Sequence, residues 1–246
     1  MALFRRKADP DAPRLGIYIH IPFCVRKCDY CDFYSVPGRD GRMDEYLHAL
    51  EVHIAESAPQ AELYTVNTIY FGGGTPTFFG AERLARLLQV VRKQFNVSKD
   101  CEITVECNPD SADQDTLLTL KKAGVNRLSM GVQSAQDKEL KEIGRVHSFA
   151  QATRAFQRAR DAGFDNISLD LIYGLPDQTM ESWKESVEAL LKLNPEHLSC
   201  YGLKLEQGTP LYERREQEQM ADDDTQADMY LWMVERLKNA GYGQYE

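Results

Sequence analysis

The chain has 246 residues, 43% of them hydrophobic, which is enough for one large core, and 38 acidic residues against 29 basic ones leave a formal charge of -9. The acidic residues are spread along the chain, so no basic face is available for phosphate contacts and a nucleic-acid partner is disfavoured. No run approaches the ~18 apolar residues of a membrane span and the N-terminus lacks an apolar signal core, so a cytoplasmic protein that does not span a membrane is expected.

Residues 1–13, where Arg5, Arg6 and Lys7 are soon followed by Asp9 and Asp11, read as a loose, disordered tail, and the folded domain is expected over 14–246. Strand-length apolar runs then alternate with segments of helical periodicity. The strands run from Gly16 to Pro22, Thr68 to Gly73, Glu102 to Glu106, Arg127 to Val132, Asn166 to Ile172 and His197 to Leu203. Between them Leu84, Leu87, Leu88, Val91 and Phe95 keep one helical face apolar, as do Trp183, Val187, Leu190 and Leu191. Ser148 and Gln151 have the spacing of a capping box, and Asp222-Asp223-Asp224 suits the positive end of a last helix. A weak repeat, Ala123-Gly124-Val125, Ala162-Gly163-Phe164 and Ala240-Gly241-Tyr242, places a glycine and then an apolar residue after three helices. The fold class expected is α/β: a partial (β/α)6 barrel, a parallel sheet with outer helices, carrying its functional residues at the C-terminal ends of the strands. Tyr242 to Glu246 reads as the start of another strand with no turn after it, so a longer parent protein is expected.

Three of the six cysteines, Cys24, Cys28 and Cys31, crowd into one loop just past the first strand, a spacing that suggests metal binding rather than disulfides. Thiolates suit both an iron-sulfur cluster and zinc. Four cysteines usually hold a cluster, so three would leave one iron open to a ligand; a structural zinc site with His20 as fourth ligand is the alternative. Cys101, Cys107 and Cys200 are scattered and are expected to act as small buried hydrophobes.

Tyr18-Ile19-His20-Ile21-Pro22-Phe23-Cys24 followed by Cys28, Tyr30 and Cys31 resembles the radical S-adenosylmethionine (SAM) motif of the oxygen-independent coproporphyrinogen III oxidase family. Its further motifs occur in order: Gly72-Gly73-Gly74-Thr75-Pro76, Glu106 with Asn108-Pro109, Met130-Gly131-Val132-Gln133, Ile143-Gly144-Arg145, and Asp170 with Tyr173-Gly174-Leu175-Pro176. The resemblance implies a 4Fe-4S cluster on Cys24, Cys28 and Cys31, an open iron that binds SAM, and an electron donor for the cluster. In that family the reduced cluster breaks SAM into methionine and a 5′-deoxyadenosyl radical.

The resemblance further implies that Gly73, Gly74 and Thr75 contact the methionyl part of SAM, and that Tyr18 and Tyr30 lie near it. A phosphate loop is improbable in the glycine run, because no Lys-Ser/Thr follows and Pro76 has no amide donor. Glu106, Gln133 and Asp170 end the third, fourth and fifth strands, where solvated polar residues are also common. They suit the ribose hydroxyls and amino group of SAM, and Arg145 suits its carboxylate. Tyr18 and His20 share one side of the first strand, where hydrogen-bonded core residues are the alternative. No residue is assigned as acid, base or nucleophile.

Two residues after Cys31, where the oxidases carry a further Cys, this chain has Phe33, as the related haem chaperones do. The oxidases also have a longer N-terminal region than the 23 residues that precede Cys24 here. Both departures favour a haem chaperone, with haem or a porphyrin as ligand and a haem-acceptor protein, at a membrane or elsewhere, as partner. The chaperone motif His-Asn-x-x-Tyr-Trp is not found in these residues and is expected in a C-terminal domain beyond Glu246. Oxidative decarboxylation of coproporphyrinogen III and radical SAM modification of tRNA are the alternatives.

Overall fold

The computed structural model describes residues 12–38 and 41–246, so most of the expected tail lies outside the described residues. Strand β1 (Arg14–Ile21) buries Ile19 and Ile21 on one face while Tyr18 and His20 share the other, the period of two that a sheet imposes. Two short parallel strands, β2 (Phe23–Cys24) and β3 (Val36–Pro37), close the cysteine loop at its base. Helix α1 (Met43–Ser57) leads to β4 (Thr65–Gly73), the single turn α2 (Pro76–Phe79) and α3 (Ala81–Gln94). Leu84, Leu87, Leu88 and Val91 are fully buried on the face of α3 expected to be apolar. Each is worth roughly 1.5–3 kcal/mol against exposure.

Strand β5 (Val97–Cys107) begins five residues earlier than the hydrophobic run, because Val97 already pairs with Val66 before a register shift. Then come α4 (Gln114–Ala123), β6 (Arg127–Gln133), α5 (Asp137–Glu142), α6 (Phe149–Asp161), β7 (Ile167–Tyr173), α7 (Met180–Leu191), β8 (His197–Gly202), α8 (Pro210–Glu213) and α9 (Asp223–Asn239). The capping box of Ser148 and Gln151 is present on α6, and Asp222 caps α9 by accepting from the Thr225 amide. Gly124, Gly163 and Gly241 have φ of 95°, 89° and 93°. The amides of Val125, Phe164 and Tyr242 reach back to the carbonyls of Leu120, Ala159 and Leu237, so the repeat is a helix-ending motif used three times.

The six long strands form one sheet in the order β1-β4-β5-β6-β7-β8, every neighbouring pair parallel. This is the expected six-unit parallel array with helices outside. Among the described residues β1 and β8 do not pair, so the sheet stays open. One main core fills the space between sheet and helices, with Phe71, Phe79, Trp183 and Phe164 fully buried. The other face of the sheet is left to polar side chains. Among the described residues no helix is long and apolar enough to cross a membrane.

Candidate cofactor site

A cavity of about 500 Å3 opens at the C-terminal ends of the strands. Its lining includes Cys24, Cys28 and Cys31, and also Tyr30, Gly73, Gly74, Thr75, Glu106, Gln133, Arg145 and Asp170. Residues separated by up to 146 positions are thus brought to one place by the strand ends and the loops that follow them.

The glycine run is shaped first by the chain's own contacts. A Cβ on Gly74 would lie 2.9 Å from the Cys24 sulfur and 2.7 Å from the Phe23 carbonyl, so only glycine lets β4 end against the cysteine loop. Gly73 has φ of 118°, and a side chain there would meet the His20 ring at 2.6 Å. The three amides are already spoken for: Gly73 donates to Glu106 Oε2 (3.1 Å), Gly74 to the Ile21 carbonyl (2.8 Å) and Thr75 to the Phe23 carbonyl (2.8 Å). None remains to cradle a phosphate. The Thr75 hydroxyl donates to the Cys24 sulfur at 3.7 Å and accepts from Asn108 Nδ2 at 3.0 Å.

Arg145 is the electrostatic centre of the cavity. Its Nη1 donates to the Cys28 sulfur (3.3 Å) and its Nη2 donates to Asn108 Oδ1 (2.8 Å) and the Gly131 carbonyl (2.7 Å). Its Nε is buried with no hydrogen-bond partner. A half-buried guanidinium with one enclosed and unsatisfied N–H is chemically suited to an anion. Across the cavity, Glu106 accepts from the Tyr70 hydroxyl at 2.8 Å. Burial raises the Glu106 carboxyl above its ordinary value, against the hydrogen bonds from Tyr70 and Gly73. Asp170 is pushed up to about 7 by burial and by the nearby Glu106 charge, while Ser129, at 3.2 Å, pulls it the other way.

Asp170 sits in the middle of β7, three residues before its last residue, rather than ending the strand as expected. Tyr173 extends the strand, so the carboxyl lies deeper in the sheet face. Gln133 ends β6 as expected, but on a bulge, with φ of 71°. Left-handed backbone at a side chain this bulky is strained, and such strain collects where a side chain must be aimed into a site.

Tyr18 does not line the cavity: it stacks on Tyr70 with ring centres 6.0 Å apart, and its hydroxyl is bonded to His20 Nδ1 (3.1 Å). His20 Nε2 donates to the Tyr34 carbonyl (2.9 Å), so both ring nitrogens are taken. Both nitrogens of His20 are thus used within the fold, an arrangement that does not favour the zinc alternative with His20 as fourth ligand. Among the described residues no three His, Cys, Asp or Glu side chains converge closely enough on one point for a single metal ion. A zinc ion needs each sulfur about 2.3 Å from one centre, whereas cluster thiolates bind separate irons around a wider cage. Three thiols around one cavity, a glycine pressed on the first of them and an incompletely satisfied guanidinium beside the second fit a cluster with an anionic ligand.

Cys101 and Cys107 are buried as expected, while Cys200 is only partly covered. Tyr70 and Asn108 are site residues that their local sequence did not single out. Asn108 lay inside a quoted motif, which was its only signal; Tyr70 alternates with core residues along β4 and carried none. The buried His147, lowered to about 4 chiefly by burial and then by the Arg145 charge, was likewise missed.

A radical SAM fold and cofactor-type cavity define the class. The chain belongs to the radical SAM superfamily, whose family model matches residues 18–190, and proteins of that superfamily hold a 4Fe-4S cluster and bind SAM. Among curated relatives it is 40% identical over 232 residues to the haem chaperone HemW of Bacillus subtilis, covering 93% of this chain and 61% of that one. It is 39% identical over 236 residues to the haem chaperone HemW of Escherichia coli, covering 95% of this chain and 62% of that one. The solved coproporphyrinogen III oxidase HemN of Escherichia coli, described as a radical SAM enzyme, superposes with a TM-score of 0.85 at 30% identity, over 96% of this chain and 54% of that one. The chain thus spans about three fifths of the length of these chaperones.

Proposed function

We propose that Cys24, Cys28 and Cys31 hold the 4Fe-4S cluster and that Arg145, Glu106, Gln133 and Asp170 receive SAM in the cavity beside it. The observation that carries the reading is the Arg145 guanidinium, which joins Cys28 to Asn108 and Gly131 and still has a buried N–H without a partner. The bound cluster supplies the electron that reduces the SAM sulfonium. The chain's part is positional: Gly74 allows the Cys24 loop to close on β4, Tyr70 and the Gly73 amide orient Glu106, and Arg145 offers its positive charge to a carboxylate. Asp170 is near half-protonated at neutral pH, so it can donate as well as accept a hydrogen bond toward a ligand hydroxyl or amine.

For the whole protein we propose haem chaperone activity, with haem bound through a region outside these 246 residues and passed to an acceptor protein. Phe33 supports this over the oxidase: it is 66% exposed at the cavity rim, at the position where the oxidases continue their cysteine series. The structural likeness to the oxidase keeps decarboxylation of coproporphyrinogen III as the second reading. Anaerobic reconstitution of the chain should give a brown protein with roughly four irons, and Cys28→Ser should abolish the colour. Stoichiometric zinc in a colourless protein would overturn the cluster reading. The full-length protein given SAM, reductant and coproporphyrinogen III should bind haem yet form no protoporphyrinogen; robust decarboxylation would promote the oxidase.

A further inference from the structure

The cysteine loop is gripped from outside, in part by two residues that no motif contains, Leu211 and Arg214. Asp29, between Cys28 and Tyr30, has every polar group engaged by distant parts of the chain. Its amide donates to the Ile143 carbonyl (3.0 Å), and its carbonyl accepts from the Leu211 amide (2.9 Å). Its carboxylate accepts from Arg214 Nη1 at 2.8 Å, and from Arg26 Nη2 only at 3.5 Å. Arg214 is itself fixed on all sides: Nη2 donates to the Glu142 carbonyl (2.6 Å) and Nε to Glu218. Leu211, one turn earlier, is fully buried and anchors the segment. Gly144 completes the contact, because with φ of 73° a Cβ there would lie 2.5 Å from Asp29 Oδ1.

We propose that Arg214 is a positioning residue for the cluster: with Leu211 it forms a latch that holds the Cys28-Asp29-Tyr30-Cys31 turn in the shape that presents its thiols to the cavity. This rests on the reading of Cys24, Cys28 and Cys31 as cluster ligands. The physical case is one of order. Three short-range ligands in a loop without regular structure have no intrinsic reason to converge, and a loop that must accept a cluster without refolding needs its backbone held by something rigid. The latch supplies one backbone bond and one charge-assisted bond to the same residue, beside the backbone bond from Asp29 to Ile143, and the Arg214 guanidinium also ties the turn to Glu142 at the end of α5, immediately before the Ile143-Gly144-Arg145 stretch that reaches Cys28. The same segment lines the cavity at Leu203, Lys204 and Glu206, so one stretch of chain touches both the ligand cavity and the back of the cluster loop.

The test uses two readouts, one of them independent of the cluster. In the cluster-free chain, Arg214→Ala should speed amide hydrogen exchange by about tenfold in the peptide spanning 24–33, with the strands of the sheet unchanged. In the reconstituted chain, the same variant should release iron to a chelator about tenfold faster. Arg214→Lys, which keeps the charge toward Asp29 but not the fork to Glu142 and Glu218, should recover part of both effects. Arg160→Ala, which breaks an ion pair remote from the cavity, should change neither. If Arg214→Ala and Arg160→Ala behave alike, or if the change in exchange spreads over the whole sheet, the latch is overturned. If the wild-type chain takes up no cluster, the ligand reading fails, while the exchange experiment still decides whether the loop is latched.

Discussion

The two rims of the sheet are built from similar residues and treat them in opposite ways. At the N-terminal rim most polar groups are spent on the fold, Asn67 Oδ1 near the start of β4 being buried without a partner. Arg160 donates to both Glu196 oxygens, at 2.9 and 2.8 Å, and Glu196 Oε2 also accepts the Ile167 amide (2.9 Å) where β7 begins. The Asn126 side chain, just before β6, bridges the Ile103 amide and the Cys101 carbonyl of the neighbouring strand β5. At the C-terminal rim Asp170, though it accepts from Ser129, faces another carboxylate, and Arg145 keeps an unpartnered N–H. One rim ends strands; the other carries the proposed ligand site. Proteins relax local consistency where function requires it, so the unsatisfied rim is the informative one.

The largest expected effect tests the strain at that rim. Folding raises the Asp170 pKa from 3.8 to about 7. Below pH 4 the carboxyl is protonated whether the chain is folded or not, and there is no cost. Between pH 4 and 7 the unfolded chain gives up its proton while the folded one keeps it, so stability falls as pH rises, and above pH 7 the loss is complete. Asp170→Asn should therefore stabilise the cluster-free chain by up to about 4 kcal/mol at pH 8 and by almost nothing at pH 3.5. Thermal unfolding against pH checks this, and a constant difference across the range would mean that the carboxyl is not desolvated.

The next concerns the cation of the same rim. Arg145→Ala should weaken SAM binding to the reconstituted chain by about 1–3 kcal/mol while leaving the iron content unchanged, because it removes donors to the ligand and no thiolate. Titration calorimetry on wild type and variant decides it. Equal affinities would make Arg145 a structural cation of the Cys28 loop only.

The smallest effect belongs to the opposite rim. Glu196→Ala should cost about 1 kcal/mol of stability, since the pair with Arg160 is partly solvent-exposed and the Ile167 amide can turn to water. Cluster content and SAM affinity should not move. A loss of SAM binding in this variant would break the division between the rims.

Much of the architecture was legible in the sequence because it rests on local rules. The period of three and four in α3 and α7, the capping box at Ser148 and the glycines at 124, 163 and 241 each report hydrogen bonds or faces within one element. The cysteine loop was legible for the same reason, since its ligands lie within eight residues of one another. The starts of β4 and β5 were not, because a strand continues as long as its neighbour offers a ladder, whatever its hydropathy.

What the sequence by itself determined was which residue types reach the C-terminal rim: six strands in order, each delivering its last residues to the same end. Tertiary structure alone decided how those residues are used there. It set Asp170 deep in the sheet face, bent Gln133 onto a bulge, gave Glu106 to Tyr70, kept Tyr18 out of the cavity and brought Arg214 to Asp29 across 185 positions. These contacts depend on strand register and on how loops from separate units meet. Neither quantity is written in any one segment, because each is fixed only when the whole sheet has paired.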